Sequence, residues 1–261
     1  MENGAGLPVA VCQGQGHDVA VVWARAAAGT IHVLAVLPDR LPATVQGFLE
    51  TVPPAVKGTI RRVCIDLWAG YAGAVATALP QAHLVVDRFH GAVQYWEAVD
   101  ERRQQEFRRP NASRPASQTL PTADWRPLWH QAWLSLTPAQ QGHRVERFEP
   151  PPTLARTDLR RNTLTALFDC TPDRATAQTR LPRWTAPVQA SGLHCFAKFL
   201  NTLDNWQEGI LNSFEGRHTS GCVDGLNHKL KLLKRRCFGL DDPVELFRRL
   251  WLDSEGPRLW A

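Results

Sequence analysis

Apolar positions set one rhythm along the first ninety residues and another beyond them. The runs "LPVAVCQ" (7–13), "DVAVVWARAA" (18–27) and "TIHVLAVLP" (30–38) read as strands, and Gly29 marks a hairpin turn between the last two. In "LPATVQGFLETV" (41–52), Val45, Phe48, Leu49 and Val52 follow the i, i+3, i+4, i+7 spacing of an amphipathic helix. "RRVCIDLW" (61–68) returns to strand, "AGAVATALP" (72–80) to a helix ended by its proline, and "AHLVVD" (82–87) to strand. The order β-β-β-α-β-α-β predicts a mixed sheet whose crossover helices make the last strands parallel.

Beyond His90 the periodicity is helical. "GAVQYWEAVDERRQQEFRR" (91–109) is a long helix, and "PNASRPASQTLPTAD" (110–124) is a loop rich in Pro, Ser and Thr. Further helical pieces, interrupted by "EPPPT" (149–153), run to "FAKFLNTLDNWQEGILNSF" (196–214). A basic helix follows, and "DDPVELFRRLWLD" (241–253) closes the pattern. The expected organisation is an α/β unit over residues 1–90, a mainly helical insertion over 91–216, and a C-terminal basic helix over 217–261 that completes the first unit.

Composition narrows the class. The 261 residues are 44% hydrophobic, enough for one sizeable core with an inserted subdomain. The formal charge of +5 is concentrated in "RHTSGCVDGLNHKLKLLKRRCFG" (217–239). Such a balance fits a nucleic-acid partner, although many proteins without one share it. The six cysteines form no C-x-x-C pair, which argues against a zinc ribbon and for reduced thiols in the cytoplasm. No basic leader and no run of about 18 apolar residues is present, so a soluble chain with no membrane partner is expected.

Three acids are candidates for chemistry. Alternation in "RRVCIDLW" puts Val63, Ile65 and Leu67 on one face and Cys64, Asp66 and Trp68 on the other. Asp66 therefore stands at the C-terminal end of a strand, where ligands collect in open α/β sheets; capping of the next helix is the competing role. "LVVDRFH" ends the following strand in the same way, with Asp87 and, three residues on, His90. Two acids at one sheet edge suit a shared divalent cation, whereas a surface network of Asp87 with Arg88 or His90 is the alternative. In the basic helix, Val223, Leu226, Leu230, Leu233 and Cys237 form the apolar stripe. Asp224, Asn227, His228, Lys231, Lys234 and Arg235 lie opposite. Asp224 suits the helix dipole, and equally suits a metal site followed by phosphate-contacting cations. The ten tryptophans are expected chiefly in the core.

"CIDLWAGYAGAVATALPQAHLVVDRFHGAVQYWEAVDERR", followed far downstream by "NWQEGILNSFEGRHTSGCVDGLNHKLKLLKRRCFG", resembles the DDE catalytic domain of bacterial insertion-sequence transposases of the ISL-three family. The resemblance runs from about Val9 to about Trp251 and implies an RNase H-like mixed sheet with a mainly helical insertion before the last acidic helix. It also implies carboxylates around two Mg²⁺ (or Mn²⁺) ions about 3.5–4 Å apart. By motif, Asp66 is the second catalytic acid, and Asp87 and His90 form the D-x-x-H element. Asp224 takes the place of the family's Glu, so Asp66 and Asp224 are the implied metal ligands. Lys229, Lys231, Lys234, Arg235 and Arg236 would hold DNA phosphates, with Asn227 and His228 lining the site.

Two departures stand out. Asp224 is one methylene shorter than Glu. Cys12, in "VAVCQGQGH", occupies the slot of the first catalytic Asp, and a thiolate is a poor ligand for Mg²⁺. The family's N-terminal zinc-binding and helix-turn-helix regions find no match in this segment, so contact with the DNA backbone is expected rather than recognition of transposon ends. The implied function is metal-dependent DNA strand cleavage and strand transfer. The alternative is a catalytically degenerate, co-opted DNA-binding or assembly protein, with self-association left open. A nuclease or phosphohydrolase using Asp66 and Asp87 alone is a third class, one that requires Asp224 to be dispensable.

Overall fold

The computed structural model describes residues 8–13, 19–25, 30–86, 88–108, 136–146, 152–215, 229, 232–233, 235–237, 240 and 242–259. Their backbone divides into two compact units, one of Met1–His90 with Trp206–Ala261 and one of Gly91–Asn205.

The first unit is built on a five-stranded sheet in the order β3-β2-β1-β4-β5. Its strands are β1 (Pro8–Gln13), β2 (Ala20–Arg25), β3 (Ile31–Leu37), β4 (Arg62–Ile65) and β5 (His83–Val86). β1, β2 and β3 pair antiparallel, as a meander with short connections must, while β1–β4 and β4–β5 are parallel. The parallel pairs need crossovers, supplied by α1 (Pro42–Thr51) with α2 (Pro54–Lys57), and by α3 (Ala69–Ala78). The mixed α/β order expected from periodicity is therefore present, with one short extra helix. Prolines at the first turns of α1 and α2 sit where a helix has no use for an N–H.

β2 explains its own unbroken apolar run. Ala20, Val22 and Ala24 pack with Val45, Leu49, Tyr71, Val75 and Leu79, on the side covered by α1 and α3. Val19, Val21 and Trp23 pack instead with Leu246 and Leu250 of the closing helix α9 (Pro243–Leu259). Both faces of the sheet are thus covered, and a strand buried on both faces does not alternate with polar residues. Burying each such Val or Leu is worth about 1.5–3 kcal/mol, which is what holds α9 to the sheet.

The second unit is helical and contains most of α4 (Arg88–Arg108), α5 (Pro138–Glu146), α6 (Pro152–Cys170), α7 (Arg174–Ala190) and the first part of α8 (Ala197–Asn212). Aromatic edges meet at its centre: Tyr95 against Phe199 at 5.3 Å, and Trp184 against both Phe196 and Phe199 at 5.9 Å between ring centres. Arg161 is buried beside them, ion-paired to Asp158 and stacked 4.6 Å over the Trp96 ring. Burial pulls its pKa down and the Asp158 carboxylate pushes it back up. Tryptophan as packing material is borne out at Trp23 and Trp184, both buried, and at Trp68 and Trp206, which pack on the α1/α3 side of the sheet.

Candidate functional site

The parallel register between β1 and β4 lays out the centre of the site. Pro8 pairs with Arg62, Val9 with Val63, Ala10 with Cys64 and Val11 with Ile65. The register ends there, Asp66 being the next residue after Ile65, and Cys12 lies opposite Val21 of β2 in the antiparallel register. Val63 and Ile65 belong to the α1/α3 side, whereas Cys64 packs on the α9 side. Cys64, between them in sequence, thus faces away from Val63 and Ile65.

Asp66 is half-buried and is the first residue beyond β4. Its carbonyl accepts the Trp68 N–H at 2.6 Å, which folds the chain sharply into α3. The N-cap of α3 is Trp68 rather than Asp66. The alternation expected through residue 68 stops at Ile65, because the strand stops there. Trp68 accordingly packs with Val63 and Ile65 instead of opposite them, and meets Tyr71 edge-on at 4.5 Å.

The last part of α8 braces β5 immediately before Asp87. The Asn212 side-chain amide donates to the Leu84 carbonyl at 2.8 Å. Gly209 lies so near that a Cβ there would stand 2.7 Å from Val86 Cγ2. Arg62, at the start of β4, pairs with Glu215 at 3.3 Å. None of these contacts was anticipated from the pattern. A glycine interrupting the apolar face in "QEGILN" is the one signal that marks such a close approach.

Among the phosphate-contacting candidates, Arg235 and Arg236 are helical and exposed. Lys229 is also helical, but its ammonium is paired with the Asp253 carboxylate of α9 at 2.8 Å and reaches the Asp253 carbonyl at 3.3 Å. Leu233 and Cys237, of the expected apolar stripe, are both half-buried, and Leu233 packs against the α9 side of the sheet. Asp87, Asp224, Asn227, His228, Lys231 and Lys234 lie outside the described residues, as do Val223, Leu226 and Leu230 of the stripe. For His90 the described part is its backbone in the first turn of α4, which starts three residues earlier than the periodicity suggested.

A pair of hard cations requires oxygen donors in near-octahedral shells. Among the described residues no group of three or more His, Cys, Asp or Glu side chains is arranged to hold a metal. In the slot of the family's first catalytic Asp the sequence has Cys12, in the strand paired with β4. Sulfur is a poor donor for Mg²⁺.

A sheet with an acid after β4, a covered far face and a cationic helical segment is the setting in which the comparisons with known proteins fall. A family model described as "Transposase", for DDE transposases of the ISL3 type, matches residues 12–250. The chain belongs to that family. It is also similar to the transposase for insertion sequence element IS1001 of Bordetella parapertussis, 27% identical over 221 residues, or 84% of this chain. The chain spans about half the length of that relative, 53%. No solved structure matches it.

Proposed function

We propose that the chain carries an RNase H-like transposase domain, by descent a DNA strand-cleaving and strand-joining unit, and that here it serves DNA binding or assembly without Mg²⁺-dependent cleavage. The RNase H-like assignment is supported by the sheet order, by three antiparallel strands followed by two parallel ones, and by helices on both faces. On this assignment the helical unit of Gly91–Asn205 is an insertion, and the segment after residue 216 returns to complete the sheet domain. DNA is the partner, held through phosphates by Arg235, Arg236 and the neighbouring lysines, in the cytoplasm. Among the described residues no helix is long and apolar enough to cross a membrane.

One observation carries the non-cleaving half of the proposal: Cys12 follows the Val11–Ile65 pair in β1, the strand beside β4, and stands in the slot of the family's first catalytic Asp. A sulfur donor is a poor substitute for a carboxylate that bridges hard cations. Asp224 in the Glu position shortens a second donor by one methylene, and octahedral Mg²⁺ tolerates little displacement.

The test is cleavage of supercoiled DNA in Mg²⁺ or Mn²⁺ by the natural chain, by Cys12→Asp, and by Cys12→Asp with Asp66→Ala. The expected result is an inert natural chain, activity gained by Cys12→Asp, and that activity lost again with Asp66→Ala. Cleavage by the natural chain that Asp66→Ala abolishes would establish the competing enzyme function and overturn the non-cleaving one.

A further inference from the structure

From the packing of α6 against α7 we infer that Arg160, Arg180 and Arg183 border a groove in the helical unit that holds DNA phosphates, a second contact surface besides the C-terminal basic segment. The inference rests on DNA being the partner of this chain, and adds where else its backbone is gripped.

The placement follows from the helical hairpin. Three residues, 171–173, join α6 to α7, so the two helices run antiparallel. The buried stripe of α7 is Ala177, Leu181, Trp184 and Val188, and that of α6 includes Thr157, Arg161 and Leu164. Arg180 and Arg183 each directly precede a member of the first stripe, and Arg160 a member of the second. All three therefore stand about 100° around from the core, on the same-handed flank of their helix. In an antiparallel pair such flanks either both face the shared seam or both face away from it. The Trp184 indole N–H donates to the Arg160 carbonyl at 2.9 Å, which turns that flank of α6 toward α7. The flanks face the seam, with Arg160 and Arg183 level across it and Arg180 one turn nearer the hairpin tip.

The charge pattern is that of a surface awaiting an anion. Arg180 and Arg183 are exposed and Arg160 is half-buried. α7 has three arginines and no acid in its 17 residues. In α6 the acids are Asp158, buried and ion-paired to Arg161, and Asp169 at its far end. A solvated helix face ordinarily interleaves opposite charges at i,i+3 and i,i+4, because like charges at those spacings repel. Here Arg180 and Arg183 are three apart, and Arg156 precedes Arg160 by four. The other residues of these flanks, Thr163, Thr176 and Pro187, are uncharged. A row of one sign weakens an isolated hairpin, and a polyanion reverses that effect while releasing its own counterions. Guanidinium groups suit phosphate because they donate two parallel hydrogen bonds. Arg180 already donates to the Thr171 hydroxyl at 3.3 Å and feels Asp173 at the tip, so Arg160 and Arg183 carry the larger share.

The experiment is fluorescence anisotropy of a labelled DNA duplex with the full chain over a range of salt concentrations, with circular dichroism as the folding control. Replacing both Arg160→Gln and Arg183→Gln should lower the slope of log affinity against log salt by about two units. Arg180→Gln should lower it by less than either alone. Arg183→Lys, which keeps the charge, should retain the slope. Lys198→Gln, in the same unit but with its ammonium paired to Glu97 at 3.8 Å, should also leave it unchanged.

A folded double variant that binds DNA with the natural slope would overturn the inference, while the proposed function would stand on Arg235 and Arg236. A slope lost equally in Arg183→Lys and Arg183→Gln would overturn it too, since charge would then not be what the position contributes. A natural chain without salt-dependent DNA binding would remove both this surface and the DNA partner of the proposed function.

Discussion

Asn212, near the end of α8, donates its side-chain amide to the main-chain carbonyl of Leu84 across 2.8 Å. β5 is an outer strand of the sheet, and the Asn212 amide takes up a carbonyl of that strand. The bond joins residues 128 positions apart in sequence and fixes the strand that leads directly into Asp87.

Removing it has a defined cost. Asn212→Ala leaves a part-buried carbonyl without its donor and should destabilise the chain by about 1–3 kcal/mol. Chemical denaturation of the two proteins, with the urea slope unchanged, measures this directly.

Gly209 gives a prediction of opposite sign from helix propensity. Gly→Ala inside a helix ordinarily stabilises by about 1 kcal/mol. At Gly209 the new Cβ would stand 2.7 Å from Cγ2 of Val86, a β-branched side chain that is 1% exposed and stiff at χ1. Gly209→Ala should therefore destabilise, by about 1–3 kcal/mol, and Val86→Ala in the same chain should recover part of the loss. Gly73, with open space around its Cα, is the control where Gly→Ala should stabilise.

The cationic segment should show unequal contributions to DNA binding. Arg235→Ala and Arg236→Ala should each lower the slope of log affinity against log salt by about one unit. Lys229→Ala should lower it less, because Asp253 already neutralises that ammonium at 2.8 Å. Asp253→Asn should strengthen binding by releasing it. Fluorescence anisotropy at several salt concentrations separates these outcomes, and a salt-insensitive interaction would remove DNA phosphates as the ligand.

Acid should loosen α7. Its N-cap, Asp173, accepts the Thr176 N–H at 2.7 Å, and that bond holds the carboxyl below its ordinary range. A depressed folded pKa contributes stability that is present above the unfolded value, about 4, and is lost as pH falls through the folded one. Asp173→Asn keeps a capping oxygen without the titration. The melting-temperature advantage of the natural chain over Asp173→Asn should therefore shrink as pH falls below about 4, and a constant difference would refute the assignment.

Periodicity alone determined a good deal of this protein. The order β-β-β-α-β-α-β and the parallel pairing of the later strands follow from local rhythm and from the crossover length that parallel strands need. Asp66 at a strand end was legible for the same reason, since strands announce both their length and their faces. The family was legible in two long motif segments, which the match over residues 12–250 bears out.

What only the tertiary structure decided is where distant segments meet. That Ile65 is the last strand residue, so that Trp68 joins the face of Val63, depends on a turn whose strength no alternation pattern carries. The contact of Gly209 with Val86, the bond from Asn212 to Leu84 and the pairing of Lys229 with Asp253 join elements by packing, and local propensity holds no information about a partner far along the chain. The β1–β4 register belongs to the same class. Sequence named the two strands separately, but hydrogen bonds between segments more than fifty residues apart are what set Val11 level with Ile65.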